Sequence, residues 1–272
     1  MSTHLPNQAY DELAPDALAA QLAASFRLDG QVVILTGASS GIGWRFAHVL
    51  HAAGASVVMG ARRKDRLEQL EADLPGSMAI ACDVAEDSDV EALVDATMER
   101  FGRIDVLVNN AGASGPMPAE DEPMDAFRRI VAVNLTGAFL CCKLVGRHML
   151  ARQSGSIINV ASVLGLIGGG QIPQASYTAS KGGLANLTRE LAAQWSRRGV
   201  RVNAIAPGWF PTEMTDEMFA DEGGRRWIRR KTPMGRAGDI TELDGVLLFL
   251  AGTASSYITG QVLPVDGGWT AV

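Results

Sequence analysis

The 272 residues carry 24 Lys and Arg against 30 Asp and Glu, a formal net charge of −6, with 47% hydrophobic types, 20% charged residues and 30 glycines. That balance describes a globular α/β chain of single-domain size and excludes whole-chain disorder; with the basic residues scattered, neither nucleic acid nor an anionic membrane is an expected partner. Three cysteines (Cys82, Cys141 and Cys142, none in a CxxC pair) and four histidines offer neither a disulfide framework nor a ligand cluster, so no metal is expected and the compartment is expected to be reducing.

In chain order, residues 1–27 form an N-terminal extension. Its first ten residues lack Lys, Arg and an apolar core of signal length, and no apolar run of roughly 18 residues follows anywhere, so the cytoplasm is the expected location. The Ala-rich stretch Asp16 to Phe26 reads as a surface or subunit-contact helix without chemistry. From residue 28 to 272 one domain is expected. Apolar, β-branched runs at Val32 to Thr36, Ser56 to Ala61, Met78 to Cys82, Ile104 to Asn109, Ser156 to Ala161, Val200 to Ala206 and Val262 to Val265 predict seven strands. Amphipathic stretches at Gly41 to Ala53, Arg63 to Ala72, Ser88 to Phe101, Met124 to Leu150, Ser176 to Arg197 and Ile240 to Ala251 predict the helices between them. Right-handed crossovers then give an α/β doubly wound parallel sheet with helices on both faces. Residues 209–235 interrupt the alternation with Trp209, Phe210, Met214, Met218, Phe219, Trp227 and Ile228, too many large apolar groups for a plain connector; a lid over a binding site is the expectation.

The first strand runs into Thr36-Gly37-Ala38-Ser39-Ser40-Gly41-Ile42-Gly43 and then into a helix. Glycines there let the backbone turn tightly, and the free N–H groups and positive helix end face a phosphate. The G-x-x-x-G-x-G spacing is not that of a P-loop, which disfavours an NTPase. Gly37 to Gly41 also matches the G-x-S-x-G nucleophile elbow, but a hydrolase of that type needs a histidine late in the chain, and of His4, His48, His51 and His148 none lies beyond residue 148. After the second strand, Gly60-Ala61-Arg62-Arg63-Lys64 stands where an NAD site places a carboxylate. Arg62 offers a planar fork for a 2′-phosphate, so NADP(H) is expected over NAD(H), with Arg63 and Lys64 read as solvated charges opening a helix.

Tyr177 and Lys181 share one face of a helix at i and i+4. A phenol's ordinary pKa of about 10 is some 4 kcal/mol too high for proton transfer near neutrality. An ammonium about 4 Å away at an effective dielectric near 20 contributes that much.

With Ser162 after the fifth strand and Asn134 in the preceding helix, the chain resembles the short-chain dehydrogenase/reductase family over Asp29 to Gly268. The matches are Thr36-Gly37 through Gly43, Asp83-Val84, Asn109-Asn110-Ala111-Gly112, Asn134, Ser162, Tyr177-Thr178-Ala179-Ser180-Lys181, Pro207-Gly208 with Thr212, and Asp266-Gly267-Gly268. The resemblance implies a Rossmann-type fold, an NAD(P)-dependent oxidoreductase (a carbonyl reductase or alcohol dehydrogenase), and a homo-oligomer, dimer or tetramer, joined through the two long helices. It implies that Gly37, Ser39, Ser40, Gly41, Ile42 and Gly43 hold the dinucleotide phosphates, that Asp83 and Val84 bind adenine, and that Asn110, Ala111 and Gly112 pack beside the adenine ribose. Pro207, Gly208, Phe210 and Thr212 would border the nicotinamide. Tyr177 would be the proton donor in reduction, Lys181 would bond the nicotinamide ribose, Ser162 would bond the substrate oxygen, and Asn134 would hold a water linking Lys181 to solvent. One departure concerns substrate: Val163 to Ser176 puts fourteen residues between Ser162 and Tyr177, longer than is usual in the family, with Gly168-Gly169-Gly170-Gln171 as the added length. The expected substrate is a small, mostly apolar ketone or secondary alcohol. The alternatives are a 3-oxoacyl-[acyl-carrier-protein] reductase, disfavoured by the acidic net charge, and an idle coenzyme sensor, disfavoured because Ser162, Tyr177 and Lys181 are all present.

Overall fold

Strands that are apolar at every position, rather than at alternate ones, need cover on both faces. All five residues of β1 (Val32–Thr36) are buried. Its alternate side chains feed two cores: Val33 and Leu35 meet Phe46, Leu50, Leu247 and Leu250 on one face, while Val32 and Ile34 meet Leu93, Cys142, Val145 and Leu191 on the other.

In this computed structural model, which describes residues 15–272, the elements follow in the order α1 (Pro15–Ala24), β1, α2 (Gly41–Ala52), β2 (Ser56–Ala61), α3 (Lys64–Asp73), β3 (Met78–Ala81), α4 (Asp87–Phe101) and β4 (Val106–Asn109). Then come α5 (Met124–Val131), α6 (Ala138–Arg152), β5 (Gly155–Val160), α7 (Ala175–Trp195), β6 (Val200–Pro207), α8 (Asp216–Ala220), α9 (Glu222–Lys231), α10 (Asp244–Ala251) and β7 (Val262–Val265). The seven strands form one parallel sheet in the order β3-β2-β1-β4-β5-β6-β7. Strand order reverses between β1 and β4, and a sheet of this kind opens a ligand crevice beyond the carboxyl ends of its strands at that point.

Several boundaries differ from the sequence expectation for physical reasons. The helix expected over Met124 to Leu150 is broken by a π turn at Ala132–Gly137. There the chain presses against the Val84 backbone: a Cβ on Gly137 would lie 2.2 Å from Val84 O, a contact only glycine permits. The whole run Met124–Arg152 is long and apolar enough to cross a membrane by length and composition, but half of its most apolar window is buried against the sheet and its neighbours, which accounts for that composition. The segment 209–235 is ordered as α8 and α9, and Ile228 anchors α9 in the interior. The expected final helix opens with a 3-10 turn at Ile240–Leu243, capped by Asp239 and Glu242. At the N-terminus, α1 has no buried residue, and Ser25 O, which accepts from Ala254 N at 3.2 Å, ties its end to the domain. Residues 1–14 of the predicted extension lie outside the described residues.

Candidate active site

The glycine turn is shaped by close approaches. Gly37 has φ +69°, and its N–H donates to Gly60 O at 2.7 Å, pinning the turn to β2. A Cβ on Gly43 would fall 2.2 Å from Gly37 O and 2.5 Å from Asn110 Nδ2. The turn after β4 is fastened to the same place: Asn110 N and Ala111 N both donate to Thr36 Oγ1 at 3.1 Å, and Asn110 Nδ2 donates to the carbonyls of Thr36 (3.0 Å) and Gly37 (3.1 Å). Ser40 stands at the N-terminus of α2 with an extended backbone and a side chain that makes no cap bond, while Ile42 packs against the core. From across the crevice, Thr212 rests on Gly41, whose φ is +52°; a Cβ there would meet Thr212 Cβ at 3.3 Å. These close approaches fix the path of the turn at the start of α2, where free backbone N–H groups and the positive helix end can receive a pyrophosphate.

At the ends of β2 and β3 the arginines depart from expectation. Arg62 is exposed, with Nη1 3.8 Å from Asp83 Oδ2. Arg63, read from sequence as a solvated charge, instead folds onto the glycine turn: its Nε donates to Ser39 Oγ at 3.2 Å and Nη2 to Ser39 O at 3.4 Å. Nothing in the linear sequence separates the two, because only the path of α3 decides which guanidinium reaches the turn. Asp83 uses Oδ1 to accept from Ala85 N at 3.1 Å, and Val84 is buried against Gly137.

Ser162, Tyr177 and Lys181 converge beyond the end of β5. Ser162 is buried and its Oγ accepts from Leu164 N at 3.1 Å, which holds the Val163–Gly165 turn. Gly165 lets that turn sit on α7, since a Cβ would lie 2.6 Å from the Lys181 carbonyl carbon. Lys181 Nζ is buried, donates to Val160 O at 2.7 Å and lies 5.8 Å from the Tyr177 ring centroid. The amine is turned to a backbone carbonyl at the end of β5, and burial raises the Tyr177 pKa while the hydrogen bond with Ser162 works against that rise. Asn134 lies in the π turn with its amide fully engaged: Oδ1 accepts from Ala113 N at 2.7 Å, and Nδ2 donates to Ala113 O at 2.9 Å and Ser180 Oγ at 3.0 Å.

Burial pulls the Lys181 ammonium down to about 8 from an ordinary 10.5. Between those values the unfolded chain binds the proton more tightly, so the native state gains stability as pH rises from about 8 to 10.5 and carries the full burial cost, about 3 kcal/mol, at pH 7. Lys181→Met is therefore expected to be more stable than the parent at pH 7 and to lose that advantage towards pH 10.5. Urea unfolding of both proteins across this range checks it, and an unchanged difference at every pH would refute it.

Adjacent residues after β6 point in opposite directions. Phe210, expected beside the nicotinamide, is buried in the core on the α2 and α10 side, where it seats Gly238. Trp209 instead joins Val163, Leu164, Tyr177, Trp227 and Trp269. The indoles of Trp209, Trp227 and Trp269 lie 5.0 to 5.6 Å apart, centroid to centroid, and the Trp209 Nε1 atom is buried without a partner. Trp269 was not singled out from the sequence; its place directly after Asp266-Gly267-Gly268 was the available signal. The added length before Tyr177 is held from three sides. Met117 N donates to Pro173 O at 2.8 Å, Trp227 Nε1 donates to Gln171 Oε1, and Glu122 accepts from Ser176 N and Oγ at the start of α7. Pro207 ends β6 paired with Val265, and Gly208 N donates to Val265 O at 2.9 Å.

A dinucleotide cradle at the switch point of a parallel sheet, next to a Ser, Tyr and Lys cluster, defines a nicotinamide-dependent oxidoreductase site. A family model described as enoyl-(acyl carrier protein) reductase matches residues 37–270. Gluconate 5-dehydrogenase of Gluconobacter oxydans (strain 621H) is 39% identical over 249 residues, 90% of this chain and 96% of that one. The 3-oxoacyl-[acyl-carrier-protein] reductase of Thermotoga maritima is also 39% identical over 249 residues, 89% of this chain and 98% of its own. Among solved structures, a gluconate 5-dehydrogenase from Burkholderia cenocepacia J2315 in complex with NADP and tartrate superposes with a TM-score of 0.87 at 37% identity, covering 92% of this chain and 99% of that one. The chain belongs to the short-chain dehydrogenase/reductase family and is an oxidoreductase of the kind its named relatives are, acting on CH–OH and C=O groups.

Proposed function

We propose that the protein is an NADP(H)-preferring, NAD(H)-tolerant oxidoreductase that interconverts a small ketone and its secondary alcohol, with Tyr177 as general acid in reduction and general base in oxidation. The observation that carries this reading is the convergence of Ser162, Tyr177 and Lys181 beside the glycine cradle. The bound coenzyme supplies or accepts the hydride. Gly37, Ser39, Ser40, Gly41, Ile42, Gly43 and Thr212 enclose its phosphates, Asp83 and Val84 face its adenine, and Asn110, Ala111 and Gly112 line its ribose. Pro207 and Gly208 border the nicotinamide, with Trp209 in the place expected of Phe210. Ser162 donates to the substrate oxygen as charge develops there, and Tyr177 hands over its proton at the same atom. Lys181 releases Val160 O to bond the ribose, and a cation brought closer to the phenol offsets the burial that now raises its pKa. Because the Asn134 amide is engaged, any water it positions is held by the backbone of the widened turn.

The tryptophan wall and the segment 209–235, acting as a lid, support a substrate with an apolar, flat or cyclic body. The relative from Thermotoga maritima keeps a 3-oxoacyl carrier substrate as the second reading. It is favoured by the exposed cations Arg226, Arg230 and Lys231 on α9, which an acidic carrier would need; Arg225 and Arg229 on the same helix are paired with Glu222. A groove along α6 and α7, with an apolar floor of Phe139, Leu150, Leu187, Leu191 and Trp195 and the polar Lys143, Arg147, Glu190 and Gln194 beside it, supports a homo-oligomer joined through these helices. The test is a panel of cyclic ketones, a keto sugar acid and a 3-oxoacyl thioester, assayed by absorbance of NADPH and NADH. Cyclic ketones with NADPH should turn over best. Arg62→Asp should lower NADPH use at least tenfold and spare NADH, since a carboxylate there repels the 2′-phosphate; indifference to that change refutes the coenzyme preference.

A further inference from the structure

Glu213 follows Thr212 on the strand-to-lid connection, and its carboxylate reaches back to the glycine turn. Its Oε2 lies 3.0 Å from Arg63 Nη2, and it accepts a hydrogen bond from Ser40. Arg63 is itself bonded to Ser39 through Nε and Nη2. An internal anion therefore sits on the guanidinium and the serines that line the expected phosphate cradle.

We propose that Glu213 is a coenzyme-specificity residue: its carboxylate competes with the 2′-phosphate of NADP(H) for Arg63, and it holds the preference over NAD(H) below what the two arginines would give alone. The proposal rests on the dinucleotide reading above. A coenzyme without the 2′-phosphate leaves the Arg63–Glu213 pair intact. One that carries it must displace the carboxylate from Arg63, which costs free energy through the lost ion pair. Both side chains are about half exposed, so solvent screens the pair and the effect is several-fold rather than a thousandfold. Hydrogen bonding to Arg63 holds Glu213 below the usual carboxylate range, which keeps it charged at neutral pH. The same contact joins coenzyme recognition to the lid, because Glu213 lies three residues before α8.

Calorimetry with adenosine 2′,5′-bisphosphate and adenosine 5′-monophosphate isolates the 2′-phosphate. At low salt, Glu213→Gln should bind the bisphosphate about three- to fivefold more tightly than the parent and the monophosphate unchanged, a gain matching a pair worth up to about 1 kcal/mol. In an Arg63→Gln background the gain should vanish. Fluorescence titration should show the NADPH to NADH affinity ratio moving the same way. Equal tightening of both nucleotides, no change, or a gain that survives in the Arg63→Gln background overturns the proposal alone. If the parent binds neither nucleotide and neither coenzyme, the dinucleotide reading falls and takes the proposal with it.

Discussion

Tyr177→Phe is expected to lower kcat about 10²- to 10⁴-fold while leaving the NADPH dissociation constant within about twofold, the range a lost general acid gives. Phenylalanine keeps the ring that packs with Val163, Leu164 and the three indoles, and it removes only the O–H. Coenzyme binding should survive because Lys181, which would bond the ribose, is held by Val160 O on β5 and not by the phenol. The partly buried phenol's pKa is raised by desolvation, so Tyr177 keeps its proton at neutral pH in the coenzyme-free protein; a neutral donor suits reduction, and oxidation should require Lys181 to approach once the ribose draws it from Val160. Single-turnover absorbance and coenzyme fluorescence on the same preparation separate the two effects. Full turnover in the phenylalanine variant would remove Tyr177 from the chemistry, and weakened NADPH binding would assign it to the coenzyme instead.

All seven strands, and the convergence of Tyr177, Lys181 and Ser162, were legible because they depend on local signals: fully apolar runs, a one-turn spacing on a helix, and a residue at a strand end. What the sequence hid depends on direction. Trp209 and Phe210 are neighbours of similar character, yet one turns to Tyr177 and the other to the core, at a bend of the chain just beyond β6 whose direction no local signal sets. Arg62 and Arg63 split in the same manner, one exposed and the other bonded to Ser39. The π turn at Asn134 was illegible because the contact that accompanies it, the Val84 backbone against Gly137, is distant in sequence. Helical spacing puts Tyr177 and Lys181 on one face but fixes only their Cα atoms, so the bond from the buried Lys181 amine to Val160 O was not legible: such an amine is drawn to whichever acceptor can satisfy it.

Gly43→Ala should weaken binding of NADPH and NADH alike by at least about tenfold and destabilise the fold by about 1–3 kcal/mol, the cost of an overpacked methyl. The reason is steric, since Gly43 is not among the positive-φ glycines. Its added carbon would meet Gly37 O and Asn110 Nδ2, and neither can retreat. Gly37 is tied through its N–H to Gly60 on β2, and Asn110 is tied to Thr36 on β1, so relief at one contact breaks a bond that joins the turn to the sheet. Whatever shifts, the N–H groups facing the phosphates shift with it, and a binding site built from backbone has no side chain that can re-aim. Gly245→Ala supplies the contrast: it lies in α10 with open space around its Cβ position, so it should bind both coenzymes normally and gain about 0.4–1 kcal/mol from a less flexible unfolded chain. Urea unfolding and fluorescence titration of the two variants check the pair. Normal coenzyme affinity in Gly43→Ala would mean that the cradle yields where the close contacts at Gly37 and Asn110 require it to be rigid.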